Sequence, residues 1–245
     1  MPLTIATCNT YLCRILGVNL SPRIRRRSEL LIGELQFRRP DIVCLQEVWS
    51  ARMARRMAAA LPGYTMVRPD NVPPFKPLGT GLVILTRLAV RATGYLPVPG
   101  AGRLKEALAS KGVLWAGLSH GGRTLRVANV HLGNGSETAQ RRQHDAFLNR
   151  LDALDHVHLL CGDLNQAAAP EVQRDGAGNP HSPYLGRELG RRGYRDALVE
   201  LHGAEADSMV TVESDRNALL APGFHLRLDY IWSRPDEGIQ LEATD

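Results

Sequence analysis

Several apolar runs of this sequence end in side chains that can do acid–base or metal chemistry. The clearest is "HLLCGDLN", residues 158–165, in which a strand-like run precedes Asp163 and Asn165. Alternate residues of a strand share a face, so both side chains would project from one side of the strand end, and Gly162 would allow another group to approach closely. A carboxylate and an amide together supply a base and an oriented hydrogen-bonding group. Because Asp and Asn are also common in turns, this run taken alone favours an ordinary turn.

The same pattern recurs in four other runs. "IATCN" ends in Asn9, "DIVCLQEV" contains Glu47, "VANVH" ends in His131 and "LRLDYIW" contains Asp229. A buried carboxylate is energetically costly unless it is paired or binds a metal, so Glu47 and Asp229 need partners. We therefore expect these side chains to converge on one site.

The hydrophobic pattern predicts the elements that must position this site. Short runs rich in Val, Ile and Leu predict strands at 3–8, 42–46, 81–86, 113–118, 125–131, 157–161 and 228–232. Apolar residues at helical spacing predict helices from about 22 to 39, with Ser21 as the cap and Pro40 as the stop, from 50 to 61 and from 137 to 154. The arginine run 25–27 is expected on the solvated outer face of the first helix.

Strands that alternate with helices in places and form hairpins in others predict mixed sheets. Gly121 and Gly122 predict a hairpin turn between two of the strands. The stretches 68–80, 94–111 and 166–184 are rich in Pro and Gly and are expected to be long loops.

Length and composition predict one globular domain covering residues 1–245. The chain has 44% hydrophobic and 22% charged residues and contains no apolar stretch long enough to cross a membrane. The N-terminus alternates like a strand, unlike a signal peptide, so we expect a cytoplasmic protein. The four cysteines lie in or beside apolar runs and are expected to be reduced. A net charge of +5 favours anionic partners, although genomic codon bias toward arginine would explain it equally well.

Six motifs in order, "TCNTY", "DIVCLQEV", "TGLVILTR", "VANVHLG", "GDLN" and "RLDYIW", resemble the endonuclease/exonuclease/phosphatase superfamily. The resemblance covers nearly the whole chain. It implies an α/β (α+β) fold, a four-layered α/β/β/α sandwich of two packed mixed sheets flanked by helices. It also implies that Mg²⁺, or Mn²⁺ in its place, assists the attack of water on a phosphoester. We expect the protein to be a monomer.

The resemblance also implies a role for each polar residue. Glu47 is similar to the carboxylate that holds the metal, with Asn9 as an adjacent contact to metal or phosphate. Asp163 resembles the residue that orients or deprotonates the attacking water, and Asn165 its hydrogen-bonding companion. His131 would donate a hydrogen bond to a phosphate oxygen in the transition state.

Asp229 resembles the carboxylate that orients a catalytic histidine, which the family carries in a C-terminal Ser-Asp-His motif. That motif does not occur in these 245 residues. Two explanations stay open: a truncated chain that lacks the family's last strand, which we favour, or a member in which another group such as His225 substitutes.

Within the superfamily, the chain is most similar to the neutral sphingomyelinase branch. The segment "ASKGVLWAGL" resembles the Lys-Gly segment that precedes the equivalent histidine there, which makes Lys111 a candidate phosphate contact, although a solvated surface lysine is the simpler interpretation. Abasic-site nucleases usually carry other residues at the positions of Tyr11 and His131. The expected substrate is a phosphodiester lipid headgroup or another small phosphodiester. The alternatives are nucleic acid, cut in the manner of DNase I, and phosphate binding without catalysis.

Overall fold

The fold consists of two mixed β-sheets packed face to face, with helices on both outer sides. A computed structural model of the chain describes residues 2–15, 18–19, 21–70, 72, 78–100, 109–166, 184–213 and 225–235. Within those residues, no helix is both long enough and apolar enough to cross a membrane.

The first sheet has four strands in the order β1-β4-β6-β5. Its strands are β1 (Ile5–Leu12), β4 (Ile42–Val48), β5 (Thr65–Val67) and β6 (Val83–Thr86), and a short antiparallel pair, β2 (Arg14–Ile15) and β3 (Val18–Asn19), follows β1 along the chain. β1 and β4 are parallel, while the β4–β6 and β5–β6 pairs are antiparallel.

The second sheet has six strands in the order β11-β14-β10-β9-β8-β7. They are β7 (Val90–Pro97), β8 (Gly112–His120), β9 (Arg123–His131), β10 (Leu159–Asp163), β11 (Arg195–Asp196) and β14 (Asp229–Ser233). A separate short pair is formed by β12 (Val212–Glu213) and β13 (His225–Leu226). Only β9 and β10 run parallel among the described pairs of this sheet.

Three apolar layers hold the sandwich together. Helices α1 (Ile24–Arg38) and α2 (Ala51–Ala60) pack on the outer face of the first sheet. Helices α3 (Glu137–Asp152) and α4 (Tyr184–Arg191) pack on the outer face of the second. A third cluster lies between the two sheets. This arrangement confirms the predicted four-layered α/β/β/α sandwich.

All seven predicted strands and all three predicted helices are present, with ends shifted by a few residues. The predicted hairpin joins β8 to β9, and Gly121 and Gly122 form its two-residue turn with φ of 56° and 78°. These positive values are the ones a type I′ turn requires, and glycine adopts them without strain. All four cysteines are free thiols, as predicted.

Other predictions about local structure were wrong. The stretch 94–111 was predicted to be a loop, but Gly94–Pro97 belongs to β7. Ser21 does not cap α1, because its hydroxyl accepts a hydrogen bond from the Cys13 N–H at 3.1 Å, and the cap residue is Arg23. Helices α4 and α5 (Ala197–His202) were not predicted; both are short.

Arg27 also differs from its prediction as a solvated side chain. Its guanidinium donates to the Thr10 carbonyl at 3.1 Å and lies over the Tyr11 ring. Arg25 and Arg26 are exposed, as expected of the outer face of α1.

Candidate active site

The candidate site lies at one end of the interface between the two sheets. On the face toward the other sheet, strands β4, β9 and β10 each begin with an apolar residue and end with a polar residue at the site. The alternate positions are Ile42, Cys44 and Gln46 in β4, Val127, Asn129 and His131 in β9, and Leu159, Cys161 and Asp163 in β10. Because alternate residues share a face, the polar side chains of all three strands meet at the same end of the interface.

In the second sheet, three of the predicted side chains occupy one row. His131 pairs with Asp163 across β9 and β10, and Asp163 pairs with Asp229 across β10 and β14. The imidazole Nε2 of His131 lies 3.7 Å from Asp163 Oδ2. The strand register alone therefore brings together groups that are nearly one hundred positions apart in the chain.

Asn9 joins this row from the first sheet. Its side-chain Nδ2 donates to Asp163 Oδ2 at 2.7 Å, and its Oδ1 accepts from the Tyr11 N–H at 3.1 Å. Tyr11 has φ of 47°, and two residues of β1, Thr10 and Tyr11, lie opposite one residue of β4. This bulge ends the regular β1 ladder beside the site, as bulges often do near functional groups.

Glu47 reaches the same cleft from β4. Its Oε1 lies 3.9 Å from His131 Nε2, and its φ of 60° is a left-handed backbone conformation that non-glycine residues adopt at a cost of about 1–2 kcal/mol. Such strain tends to concentrate at functional sites.

Asn165 is fixed just beyond the end of β10. Its N–H donates to Asp163 Oδ1 at 2.8 Å, and its Nδ2 donates to the Leu132 carbonyl at 2.8 Å. Its φ is 47°. Asn165 thus holds the Asp163 carboxylate with its main chain and the segment after His131 with its side chain.

Lys111 is buried in this region, which contradicts its interpretation as a solvated surface residue. It is 7% exposed and its Nζ lies 3.4 Å from the Leu132 carbonyl oxygen. Its positive charge lowers the pKa of both Asp163 and His131. Lys111 therefore belongs with the cluster.

Burial dominates the electrostatics of the site. Burial raises the pKa of Asp163 to about 8, and the neighbouring Asp229 carboxylate adds to the rise, whereas hydrogen bonds from Asn9 and Asn165 oppose it. Burial also raises the pKa of Asp229, with a further contribution from Glu47, against hydrogen bonds from Thr211 and the Asn9 main chain. For His131, burial lowers the pKa well below its ordinary value, so the ring is neutral at pH 7.

Asp163 and Asp229 both have raised pKa values, to which a neighbouring carboxylate contributes in each case, and a divalent cation in the cleft would offset this repulsion. Among the described residues, no three His, Cys, Asp or Glu side chains form a ready-made metal cluster. Mg²⁺ does not need one, since it keeps several waters and usually takes only one or two protein carboxylates. Glu47 supplies one such carboxylate to the cleft, and the Asn9 amide lies in the same cleft.

Sequence reasoning missed the groups that hold Asp229 in place. The Thr211 hydroxyl accepts from the N–H groups of Leu228 and Asp229 at 3.0 and 3.2 Å. Arg227, just before them, forms a buried two-point ion pair with Asp196, with one contact at 3.1 Å. The available signal was an arginine between two leucines in the largely apolar run "HLRLDYIW". The side chain of His225, the suggested substitute for the family histidine, lies outside the described residues.

The fold is shared with several solved structures. A sphingomyelinase C from Streptomyces griseocarneus superposes with a TM-score of 0.68 at 18% identity, covering 96% of this chain and 84% of that one. The structure of SmcL gives a TM-score of 0.69 at 15% identity, with coverage of 94% and 82%. TDP2 of D. rerio, solved with a single-stranded DNA product, gives 0.67 at 16% identity, with coverage of 97% and 86%.

Sequence comparison adds a curated relative and a family. Sphingomyelin phosphodiesterase 5 of Danio rerio is 31% identical over 154 residues, which is 51% of this chain and 28% of that protein. The match thus spans less than a third of the relative's length. The model of the endonuclease/exonuclease/phosphatase family matches residues 6–242. Since that match takes in nearly the whole sequence and every polar residue of the cleft, the chain belongs to the endonuclease/exonuclease/phosphatase family.

Proposed function

We propose that the protein is a divalent-metal-dependent phosphodiesterase that hydrolyses its substrate by attack of water. The observation that supports this most is the convergence of Asn9, Glu47, His131, Asp163 and Lys111 at one end of the sheet interface. A base, a metal carboxylate and two phosphate-binding groups are the components that such a reaction needs.

Glu47 and Asn9 are assigned to the metal, with Mg²⁺ as the preferred ion and Mn²⁺ as the alternative. A bound Mg²⁺ supplies Lewis-acid stabilisation of the charge on the phosphoryl oxygens. The carboxylate of Glu47 points into the cleft, where its Oε1 is 3.9 Å from His131.

Asp163 is assigned as the general base that takes a proton from the attacking water. Its pKa of about 8 lies close to neutral pH, which favours proton transfer in both directions. Asn9 and Asn165 fix the orientation of its two oxygens with hydrogen bonds of 2.7 and 2.8 Å.

His131 and Lys111 are assigned to the phosphate. The neutral His131 ring carries one N–H for donation to a non-bridging oxygen, and Lys111 acts as a buried point charge. Asp229 retains the proposed role of orienting a histidine, and its Oδ1 accepts no hydrogen bond from the described residues.

We propose a sphingomyelin-like phosphodiester as the substrate class. The identity to a sphingomyelin phosphodiesterase and the presence of both Lys111 and His131 support this choice over nucleic acid. The protein remains proposed to be a single-domain monomer.

The deciding experiment compares sphingomyelin, a chromogenic phosphodiester and supercoiled plasmid, each with Mg²⁺ and with chelator. We expect release of phosphocholine from sphingomyelin that requires Mg²⁺ and falls roughly 10²–10⁴-fold in Asp163→Asn. Plasmid nicking with a steep salt dependence would instead identify nucleic acid as the substrate and the protein as a nuclease. Metal or phosphate binding without turnover of any of the three substrates would overturn the catalytic proposal.

A further inference from the structure

The side chain of Glu47 points the opposite way from what its position in β4 dictates. Val43, Leu45 and Val48 face the helices α1 and α2, while Ile42 and Cys44 face the second sheet. Strict alternation would place Glu47 with Val43 and Leu45, under the helices. Its contact with His131 shows that it lies on the other side, in the cleft.

A β-bulge causes this reversal. Leu45 pairs with Val83 in the β4–β6 ladder, and the next ladder contact joins the Val48 N–H to the Gly81 carbonyl at 2.9 Å. Gln46 and Glu47 therefore lie opposite the single residue Leu82. An extra residue of this kind, with its backbone in the left-handed region at Glu47, changes the direction of its own side chain.

A buried amide pair from the two sheets meets this bulge. The side-chain Nδ2 of Asn129, in β9, donates to the carbonyls of Leu45 and Val83 at 3.0 and 2.9 Å. Gln46 Nε2 donates to Asn129 Oδ1 at 2.8 Å, and also contacts Thr7 Oγ1 at 3.1 Å. Both amide side chains are fully buried.

The hydrogen bonds of Asn129 fix the position of the backbone beside the bulge, which apolar contacts cannot do. Most of the buried side chains between the sheets are apolar, and their packing is non-directional. The Asn129 amide bonds instead to the last paired residues of β4 and β6 before the bulge. If the Asn129 amide lost these acceptors, its buried N–H groups would be unpaired, which would lower the stability of the fold.

We propose that Asn129, supported by Gln46, is a positioning residue that holds the β4 bulge and thereby turns Glu47 into the cleft. The effect passes from the second sheet to a carboxylate of the first, so the distance between the two walls of the site is set by hydrogen bonds across the interface. The metal role of Glu47 rests on the proposed function, but its orientation does not.

The test uses Asn129→Leu, with Thr86→Val as the matched control. Thr86 is equally buried, lies in β6 at the end opposite the bulge, and its hydroxyl accepts from the Leu88 N–H at 3.1 Å. Two quantities are measured on each protein: amide hydrogen exchange at Val48 in the metal-free state, and Mg²⁺ affinity by calorimetry.

Asn129→Leu should abolish the protection of the Val48 amide and weaken Mg²⁺ binding about 10–100-fold, the usual effect of removing a group that orients a metal ligand. Thr86→Val should lower stability and change neither quantity. If Asn129→Leu lowers stability but retains Val48 protection and Mg²⁺ affinity, the proposal is wrong. A wild type that binds no Mg²⁺ would overturn the proposed metal function, while the exchange data would still decide the positioning role.

If Asn129→Leu does not fold, a second variant tests the same proposal. Gln46→Met keeps the size of the side chain and removes the amide donor, and the Gln46 Oε1 has no partner to lose among the described residues. It should raise Val48 exchange at least several-fold relative to Thr86→Val. Exchange equal to that of the control would overturn the proposal.

Discussion

At the scale of single residues, the site combines groups whose charges conflict. Burial and the Asp229 carboxylate raise the pKa of Asp163, burial and Glu47 raise that of Asp229, and Lys111 offsets only part of the rise at Asp163. Repulsion between buried carboxylates lowers the stability of the folded state, and a bound cation would offset it. We therefore expect the stability of the folded state to depend on pH and on a bound metal.

The first prediction concerns the stability of the metal-free protein. Burial raises the pKa of Asp163 from its ordinary value of 3.8 to about 8 in the folded protein. Between these values the folded protein retains a proton that the unfolded chain has lost, so stability falls as pH rises from about 4 to about 8. The slope from one such group reaches at most about 1.4 kcal/mol per pH unit.

Asp163→Asn should flatten this decline, as measured by urea unfolding in chelator at several pH values. Mg²⁺ should flatten it for the wild type too, because it favours the ionised carboxylates. The same pH slope in wild type and variant would show that Asp163 ionises normally.

The second prediction concerns Lys111. Its charge lowers the pKa of Asp163, so Lys111→Met should raise that pKa and move the acid limb of the pH–rate profile toward higher pH. Loss of a charged hydrogen bond to phosphate should also reduce kcat/KM roughly 10–150-fold. The measurement is kcat/KM against pH for the preferred phosphodiester. An unshifted profile with unchanged kcat/KM would place Lys111 outside the reaction.

The sequence predicts the proposed catalytic and metal-binding residues of the cleft better than the residues that position them. Asn9, His131 and Asp163 end apolar runs, and strand alternation is a local property that can be read directly. Lys111 and Asn129 gain their environments only when distant strands pair, so their burial could not be predicted from neighbouring residues.

At the scale of the elements, parallel pairing of β9 and β10 sets the distance between His131 and Asp163. Gly162 permits that pairing. With φ of 136°, it places its Cα against Val130 so closely that an added Cβ would lie 1.9 Å from the Val130 carbonyl oxygen. No side chain fits there, because the obstacle is main chain.

The third prediction follows from this contact. Gly162→Ala should force β9 and β10 apart, which destabilises the protein by about 1–3 kcal/mol or more and lowers turnover. Chemical denaturation and the phosphodiester assay measure the two effects.

Gly33→Ala provides the control. A Cβ at Gly33, in α1, meets no atom within 4 Å, so alanine should leave turnover unchanged and raise stability slightly. If Gly162→Ala is as stable and active as Gly33→Ala, the close approach of β9 to β10 is not required.

Several of the predicted strands, such as β4, β6 and β10, have apolar runs that are buried on both faces. The strand β7, "VRATGYLP", was missed because it lies at the edge of the second sheet and most of its residues are exposed or half-buried. The bulges in β1 and β4 have no local sequence signal, since Tyr11 and Glu47 adopt positive φ in place of glycine. Strain imposed by tertiary contacts is not visible in a propensity pattern.

At the scale of the whole molecule, two sheets contribute opposite walls of one cleft. Asn9 and Glu47 come from the first sheet, and His131, Asp163 and Asp229 from the second. Folds of this kind carry varied activities, as the similarity to sphingomyelinase C and to TDP2 illustrates. The net charge of +5 suits anionic phosphoesters in general and does not by itself select among them.

The central claim is that these two walls hold a divalent cation, and anomalous diffraction from crystals soaked in Mn²⁺ tests it most directly. The account predicts a peak in the cleft about 2.0–2.3 Å from a Glu47 carboxylate oxygen, with Asn9 adjacent, and loss of that peak in Glu47→Gln. A cleft that stays empty at saturating Mn²⁺, or a peak that persists without the Glu47 carboxylate, would contradict it.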